Sequence, residues 1–201
     1  MIIRLVSALA AACLLVVPTG AQTTFGVDAE GFIRNCLVLA PIPMSGQSGA
    51  EEIHQDLFRG EAALKPRPEQ EVRLNGGTLK WQAHQAPAYY VDFRESFDPN
   101  NGEYVIGYAV TYVHADEPVN LTLALGTNDQ GKVWLNGKDV LTYEEARVLE
   151  RDADKVPVSL VKGQNVLVMK VINELNSWQA CARFLNGTTP VTNLKISINP
   201  Q

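Results

Sequence analysis

The sequence predicts an all-β chain folded as two packed antiparallel sheets, and three observations carry that expectation. From Phe32 onward, short apolar runs rich in Val, Leu, Ile and Tyr are separated by Gly, Asn, Asp and Pro, which is the punctuation of strands and turns. Several of the runs alternate apolar and polar residues with a period of two, as a strand with one buried face requires. About ten such runs stand against a single stretch with helical spacing, which favours a two-sheet sandwich over any α/β layering.

Residues 1–21 read as a secretory signal peptide. One charge at Arg4 precedes an apolar run over 5–17 and the small-residue end Pro18-Thr19-Gly20-Ala21, with cleavage expected near Ala21-Gln22. Lipidation of Cys13 is the rival reading, and the apolar residues that follow that cysteine argue against it. Residues 22–201 are then one secreted or periplasmic domain, flexible up to residue 30 or so and long enough for a core of its own. The formal charge is −5 and Lys and Arg are scattered, so neither nucleic acid nor an anionic membrane is an expected partner.

The first run, 32–39, ends at Pro41-Ile42-Pro43, and a Gly/Ser loop follows over 45–49. Residues 51–64 are the one helix candidate, short, with Ile53, Leu57 and Phe58 on one side. Runs at 72–74, 79–83 and 89–93 are short strands, the first two joined at Asn75-Gly76-Gly77. Residues 104–113 are apolar on both faces, the mark of a central strand. Val119, Leu121, Leu123 and Leu125 form one face of a half-buried strand. Asn136-Gly137 supplies the type I′ turn between 132–135 and 138–141, because both of its residues need positive φ. Lys162-Gly163 turns between 156–161 and 165–172, and 178–185 and 194–198 complete the set. Val133, Leu135, Leu167, Met169, Val171 and Leu123 sit on apolar phases and are expected to share one core between the sheets.

Four segments together resemble the galactose-binding-domain-like β-sandwich. They are Gly31-Phe32-Ile33-Arg34-Asn35-Cys36-Leu37-Val38-Leu39-Ala40-Pro41, Gly126-Thr127-Asn128-Asp129-Gln130-Gly131-Lys132-Val133-Trp134-Leu135-Asn136-Gly137, Gly163-Gln164-Asn165-Val166-Leu167-Val168-Met169-Lys170-Val171, and Trp178-Gln179-Ala180-Cys181-Ala182-Arg183. The resemblance is to the version attached to bacterial glycoside hydrolases and β-galactosidase-type enzymes. It implies a jelly roll that contacts sugar or packs on a neighbouring domain. Asn128-Asp129 stands where two aspartates are common, and Cys36 where a tryptophan is common. The first and last strands lie side by side in that fold, which implies a Cys36–Cys181 disulfide; the alternative is two buried free thiols.

No catalytic constellation is recognisable. Gly46-Gln47-Ser48-Gly49 lacks the spacing of a nucleophile turn, no motif selects a carboxylate pair, and Glu144-Glu145 with 150–154 reads as solvated charge. His54, His84 and His114 are isolated, so no metal or cofactor is expected, and Asp98, Asn100, Asn101 and Glu103 read as a turn before they read as a calcium loop. The function expected is a non-catalytic carbohydrate-binding or accessory module, with an assembly subunit that binds another protein as the alternative. A glycan needs an aromatic face beside directed polar groups, and the candidates are Trp134 or Trp178 beside Asn128, Asp129, Glu174 or Arg183. The alternative has both indoles covered and the polar groups paired within the protein.

Overall fold

The structure, a computed structural model, describes residues 23–74, 77–98, 100 and 102–201. The signal-peptide reading, Cys13, the Asn75-Gly76 part of a turn and Asn101 fall outside those residues. In chain order the elements are β1 (Phe25–Gly26), β2 (Asn35–Pro43), α1 (Gly49–Glu52), a 3-10 turn at Glu61–Ala63, β3 (Glu71–Leu74), β4 (Gly77–Lys80), β5 (Gln82–Gln85), β6 (Val91–Asp92) and α2 (Phe93–Phe97). They continue with β7 (Val105–Ala115), β8 (Val119–Asn128), β9 (Gly131–Leu135), β10 (Lys138–Tyr143), β11 (Asp154–Leu160), β12 (Gly163–Asn173), β13 (Gln179–Asn186), β14 (Thr189–Pro190) and β15 (Lys195–Ser197).

The larger sheet runs β1-β15-β7-β12-β9-β10, with β2 on the same edge of β7 as β15 and β5 on the far side of β2. The smaller sheet runs β11-β8-β13-β14, with β6 also on β13, and β3 and β4 form a separate hairpin. All of these pairings are antiparallel. The chain is thus an all-β, two-sheet antiparallel sandwich, as its alternation predicts.

Val133, Leu135, Leu167, Met169, Val171 and Leu123 all lie in the layer between the two sheets. The cause is local: in β12 and β9 these residues occupy alternate positions, and the register pairs Leu167 with Leu135 and Met169 with Val133. The Asn136-Gly137 turn has φ 52° and 79°, the two left-handed positions that a type I′ hairpin needs. Strand β7 is buried on both faces, as its doubly apolar sequence requires.

Its second face meets a second apolar layer. Residues 44–74 and 77–81 fold back over the outer face of the larger sheet, where Ile53, Leu57, Phe58 and Trp81 cover Tyr108, Val110, Trp134 and Val168. The helix expected over 51–64 is one turn at Gly49–Glu52 and a 3-10 turn at Glu61–Ala63. Gly60, at φ 77°, breaks the path between them. Two further readings are corrected. The run 79–83 divides at Trp81 into β4 and β5, and the run 89–93 contributes only β6 before Asp92 caps α2 by accepting from Glu95 N. Near the start, Phe25 and Gly26 pair with Ile196 and Lys195, and Asp28 closes a turn by accepting from Phe32 N.

The disulfide expectation is also corrected: Cys36 and Cys181 are free and buried. Cys36 points into the layer between the sheets. On β13, Ala180, Ala182 and Phe184 take that layer, so alternation turns Cys181 to the opposite face of the smaller sheet with Arg183. The two strands belong to different sheets, and their thiols point away from a common bond. Burial pushes both thiols up to about 12, with Asp152 adding to the effect at Cys181.

Candidate functional site

A cleft of about 640 Å³ opens between the β3–β4 hairpin, the end of β2 and α1. Pro41, Ile42, Pro43, Met44, Leu57, Leu74 and Leu79 give it aliphatic walls, and Ser45, Glu52, Gln55, Arg73 and Thr78 are its polar lining. Its size lies within the range of small-molecule sites. The wall at β2 is fixed by composition: Pro41 and Pro43 carry no N–H, so this edge of the sheet offers few donors to a passing strand.

Glu52 ends α1 and is 2% exposed. Its Oε2 accepts from Ser45 Oγ at 2.7 Å and from Ser45 N at 3.3 Å, whereas Oε1 is buried without a hydrogen-bond partner. Beneath it lies an ionic group built on the central strand β12. Lys170 Nζ donates to Glu52 O at 3.1 Å and Gln55 O at 2.6 Å and stands 3.6 Å from Glu61 Oε1, which also accepts from the Tyr108 hydroxyl. Burial lowers the Lys170 pKa and raises those of Glu61 and Tyr108, while the Glu61 charge opposes the shift at Lys170. Lys170 therefore ties residues 52–61 to the sheet and positions Glu52 in the cleft.

The residues singled out from sequence lie elsewhere, and most are occupied internally. Trp178 is fully buried between the sheets, stacked on Phe93 with ring centroids 5.0 Å apart and donating Nε1–H to Val171 O. Trp134 is buried on the opposite face of the larger sheet, beneath residues 44–74 and 77–81. The expectation that one of these indoles offers a stacking face is overturned, because a layer of protein covers each. Arg183 grips Asp152 through Nε at 2.9 Å and Nη2 at 2.6 Å and donates to Glu30 O from Nη1.

Asp129 and Glu174 are brought together. Asp129 Oδ2 accepts from Glu174 N at 3.0 Å, and Glu174 Oε1 accepts from Gly49 N at 2.7 Å and Gln130 Nε2 at 3.1 Å. Burial raises the Asp129 pKa. Asn128 is buried beside them, with Oδ1 unpartnered. The group docks the start of α1 against the sandwich, and it is packed closely enough that a side chain at Gly49 would collide with Gln130.

Sequence reading missed Glu52, Ser45, Glu61 and Lys170. One signal was present: Lys170 is a lone charge inside β12, a run apolar on both faces, and a buried charge requires a partner. No signal placed Glu52, because the hairpin and the β2 end that enclose it approach through chain reversal.

No family model matches the chain, and no curated protein matches it. Among solved structures, a β-glucuronidase from Faecalibacterium prausnitzii is similar at 16% identity and a TM-score of 0.42, covering 78% of this chain and 22% of that one. A β-glucosidase from Kluyveromyces marxianus gives 14% identity and 0.42, covering 61% of this chain and 16% of that enzyme. The PA14 domain of the MpAFP antifreeze protein gives 9% identity and 0.45, covering 92% of this chain and 97% of that domain. The chain spans between 16% and 22% of the two enzymes, and likenesses at these values assign it neither a family nor an activity.

Proposed function

We propose that this chain is an exported, non-catalytic carbohydrate-binding or accessory module of the galactose-binding-like kind, with the cleft beside Glu52 as its ligand seat. The observation that carries the reading is one cleft whose lining combines aliphatic residues with the polar residues Ser45, Glu52, Gln55, Arg73 and Thr78. Aliphatic walls accept the C–H face of a sugar ring, and the polar set satisfies hydroxyls in fixed directions. The composition of residues 1–21 supports export.

Calorimetric titration of the chain against a broad oligosaccharide panel tests it, with Thr78→Trp as a variant that fills the cleft from an exposed rim position. Saturable binding that the variant abolishes at unchanged melting temperature is the expected result. No binding to any glycan transfers the function to the second reading, an assembly subunit that binds another protein. One observation favours that reading: neither tryptophan offers a sugar platform.

A further inference from the structure

We infer that Asn186 is a site of self-modification: in water its side-chain amide is displaced by the backbone nitrogen of Gly187, and the turn between β13 and β14 comes to carry aspartate and isoaspartate. The chain holds four Asn-Gly steps, and two of them, Asn75-Gly76 and Asn101-Gly102, include residues outside the described ones. The other two, Asn136-Gly137 and Asn186-Gly187, both lie at exposed hairpin turns. Glycine favours the reaction because, without a Cβ, it leaves its own nitrogen open to the preceding side chain and lets the backbone turn toward it. The two turns differ in how the asparagine is held. Asn136 has both ends of its amide engaged: Nδ2 donates to Asn165 Oδ1 at 2.8 Å and Oδ1 accepts from Val166 N at 2.9 Å. Rotation of that amide toward Gly137 N breaks both bonds.

Asn186, by contrast, makes no side-chain hydrogen bond with a described residue, and the Gly187 N–H has no acceptor among them. Gly187 takes φ 61°, as the first central residue of a type II′ turn does, and even a Cβ there would meet nothing within 4 Å. The strand around Asn186 is also weakly held. Pairing of β13 with β8 stops at Leu185, β14 is two residues long, and its Pro190 has no N–H to give. Local opening at such a hairpin end is cheap, so the rotation that brings Asn186 Cγ to Gly187 N is open to the folded protein. In the reaction the Gly187 nitrogen gives its proton to water or hydroxide and bonds to Asn186 Cγ, and ammonia leaves, closing a cyclic imide. Water then opens the imide. Cleavage at Cγ gives aspartate, and cleavage at the main-chain carbonyl gives isoaspartate, whose backbone runs through Cγ. Either product adds a negative charge, and isoaspartate also lengthens the backbone inside the turn that sets the Asn186–Thr189 pairing.

The test incubates the folded chain in mildly alkaline buffer and follows each Asn-Gly step by proteolysis and mass spectrometry, with fragmentation that separates isoaspartate from aspartate. Asn186 is expected to convert about tenfold or more faster than Asn136, the equivalent of ~1.4 kcal/mol in barrier. The unfolded chain supplies the control, because Leu precedes and Gly follows the asparagine in both Leu135-Asn136-Gly137 and Leu185-Asn186-Gly187. In urea concentrated enough to unfold the protein, the two sites are expected to convert at similar rates. Conversion of Asn186 no faster than that of Asn136 in the folded chain overturns the inference. A difference that persists unchanged in urea also overturns it, since the fold then plays no part. Asn186 that stays intact in the folded protein and converts only in urea overturns it as well.

Discussion

Asn136 donates its side-chain amide to Asn165 Oδ1 at 2.8 Å, and this contact joins two hairpin turns that lie 29 residues apart in the chain. Asn136 Oδ1 accepts from Val166 N, while Asn165 accepts from Val161 N and donates to Val161 O and Gly163 O. Asn165 itself is fully buried, so its side-chain amide has no water as an alternative partner. Asn165→Ala is expected to cost about 1–3 kcal/mol, since it removes several hydrogen bonds made by one buried amide. Asn165→Asp keeps the acceptor for Val161 N and is expected to cost less. Urea unfolding followed by circular dichroism ranks the two.

Gly107 on β7 faces the aromatic pair of the inter-sheet layer. A Cβ there would lie 2.7 Å from a ring carbon of Trp178 and 2.9 Å from one of Phe93. Neither ring has room to retreat, because Trp178 is fully buried and tied to Val171 O. Gly107→Ala is expected to destabilise the fold by about 1–3 kcal/mol through overpacking, against the usual gain of alanine over glycine in a strand. Differential scanning calorimetry measures it, and an unchanged melting temperature contradicts the packing described.

Lys170→Met removes the cation beneath α1 and leaves Glu61 buried opposite a thioether. Breaking a buried pair from one side costs about 3–5 kcal/mol. Adding Glu61→Gln to Lys170→Met is expected to recover part of that loss, because the second change removes the uncompensated charge. Chemical denaturation of the two single variants and the double variant closes the cycle.

The two thiols make stability fall with alkaline pH. Each folded pKa is raised from an ordinary 9.0 to about 12, so above pH 9 the unfolded chain releases protons that the folded chain retains. The stabilisation is complete below the unfolded value and is lost as pH rises toward the folded one. By pH 10 the expected loss is about 1.4 kcal/mol per thiol. A Cys36→Ala/Cys181→Ala chain is expected to lose that component of the slope in unfolding measurements between pH 8 and 10.

How far the fold was legible depends on which interaction fixed each part. The phases of β9 and β12 follow from a period of two, and the Asn136-Gly137 turn follows from φ alone, so both were readable in the sequence. Alternation also showed that Trp134 faces away from Val133 and Leu135. It did not show what lies on that side, because the covering residues 44–74 and 77–81 are distant in sequence and weakly patterned. The same limit applies to the site. Asp129 and Glu174 were recognised as polar residues near a loop, but their partners, Gly49 and Gln130, became evident only with the docking of α1. The disulfide expectation failed on strand placement and on phase: Cys36 and Cys181 lie on strands of different sheets, and only Cys36 faces the layer between them.

Burial of the larger sheet on both faces divides the three tryptophans between two compartments, with Trp178 between the sheets and Trp81 and Trp134 in the outer layer, Trp81 on the cover and Trp134 on the sheet beneath it. Each layer therefore carries its own optical probe. In Trp178→Phe the remaining emission arises from the outer layer, and in a chain retaining only Trp178 it arises from the sandwich. A red shift in the first without one in the second identifies a molecule whose cover has lifted while its sheets remain paired. Because the cleft lies at the margin of that cover, the same signal separates ligands that clamp it shut from those that wedge it open.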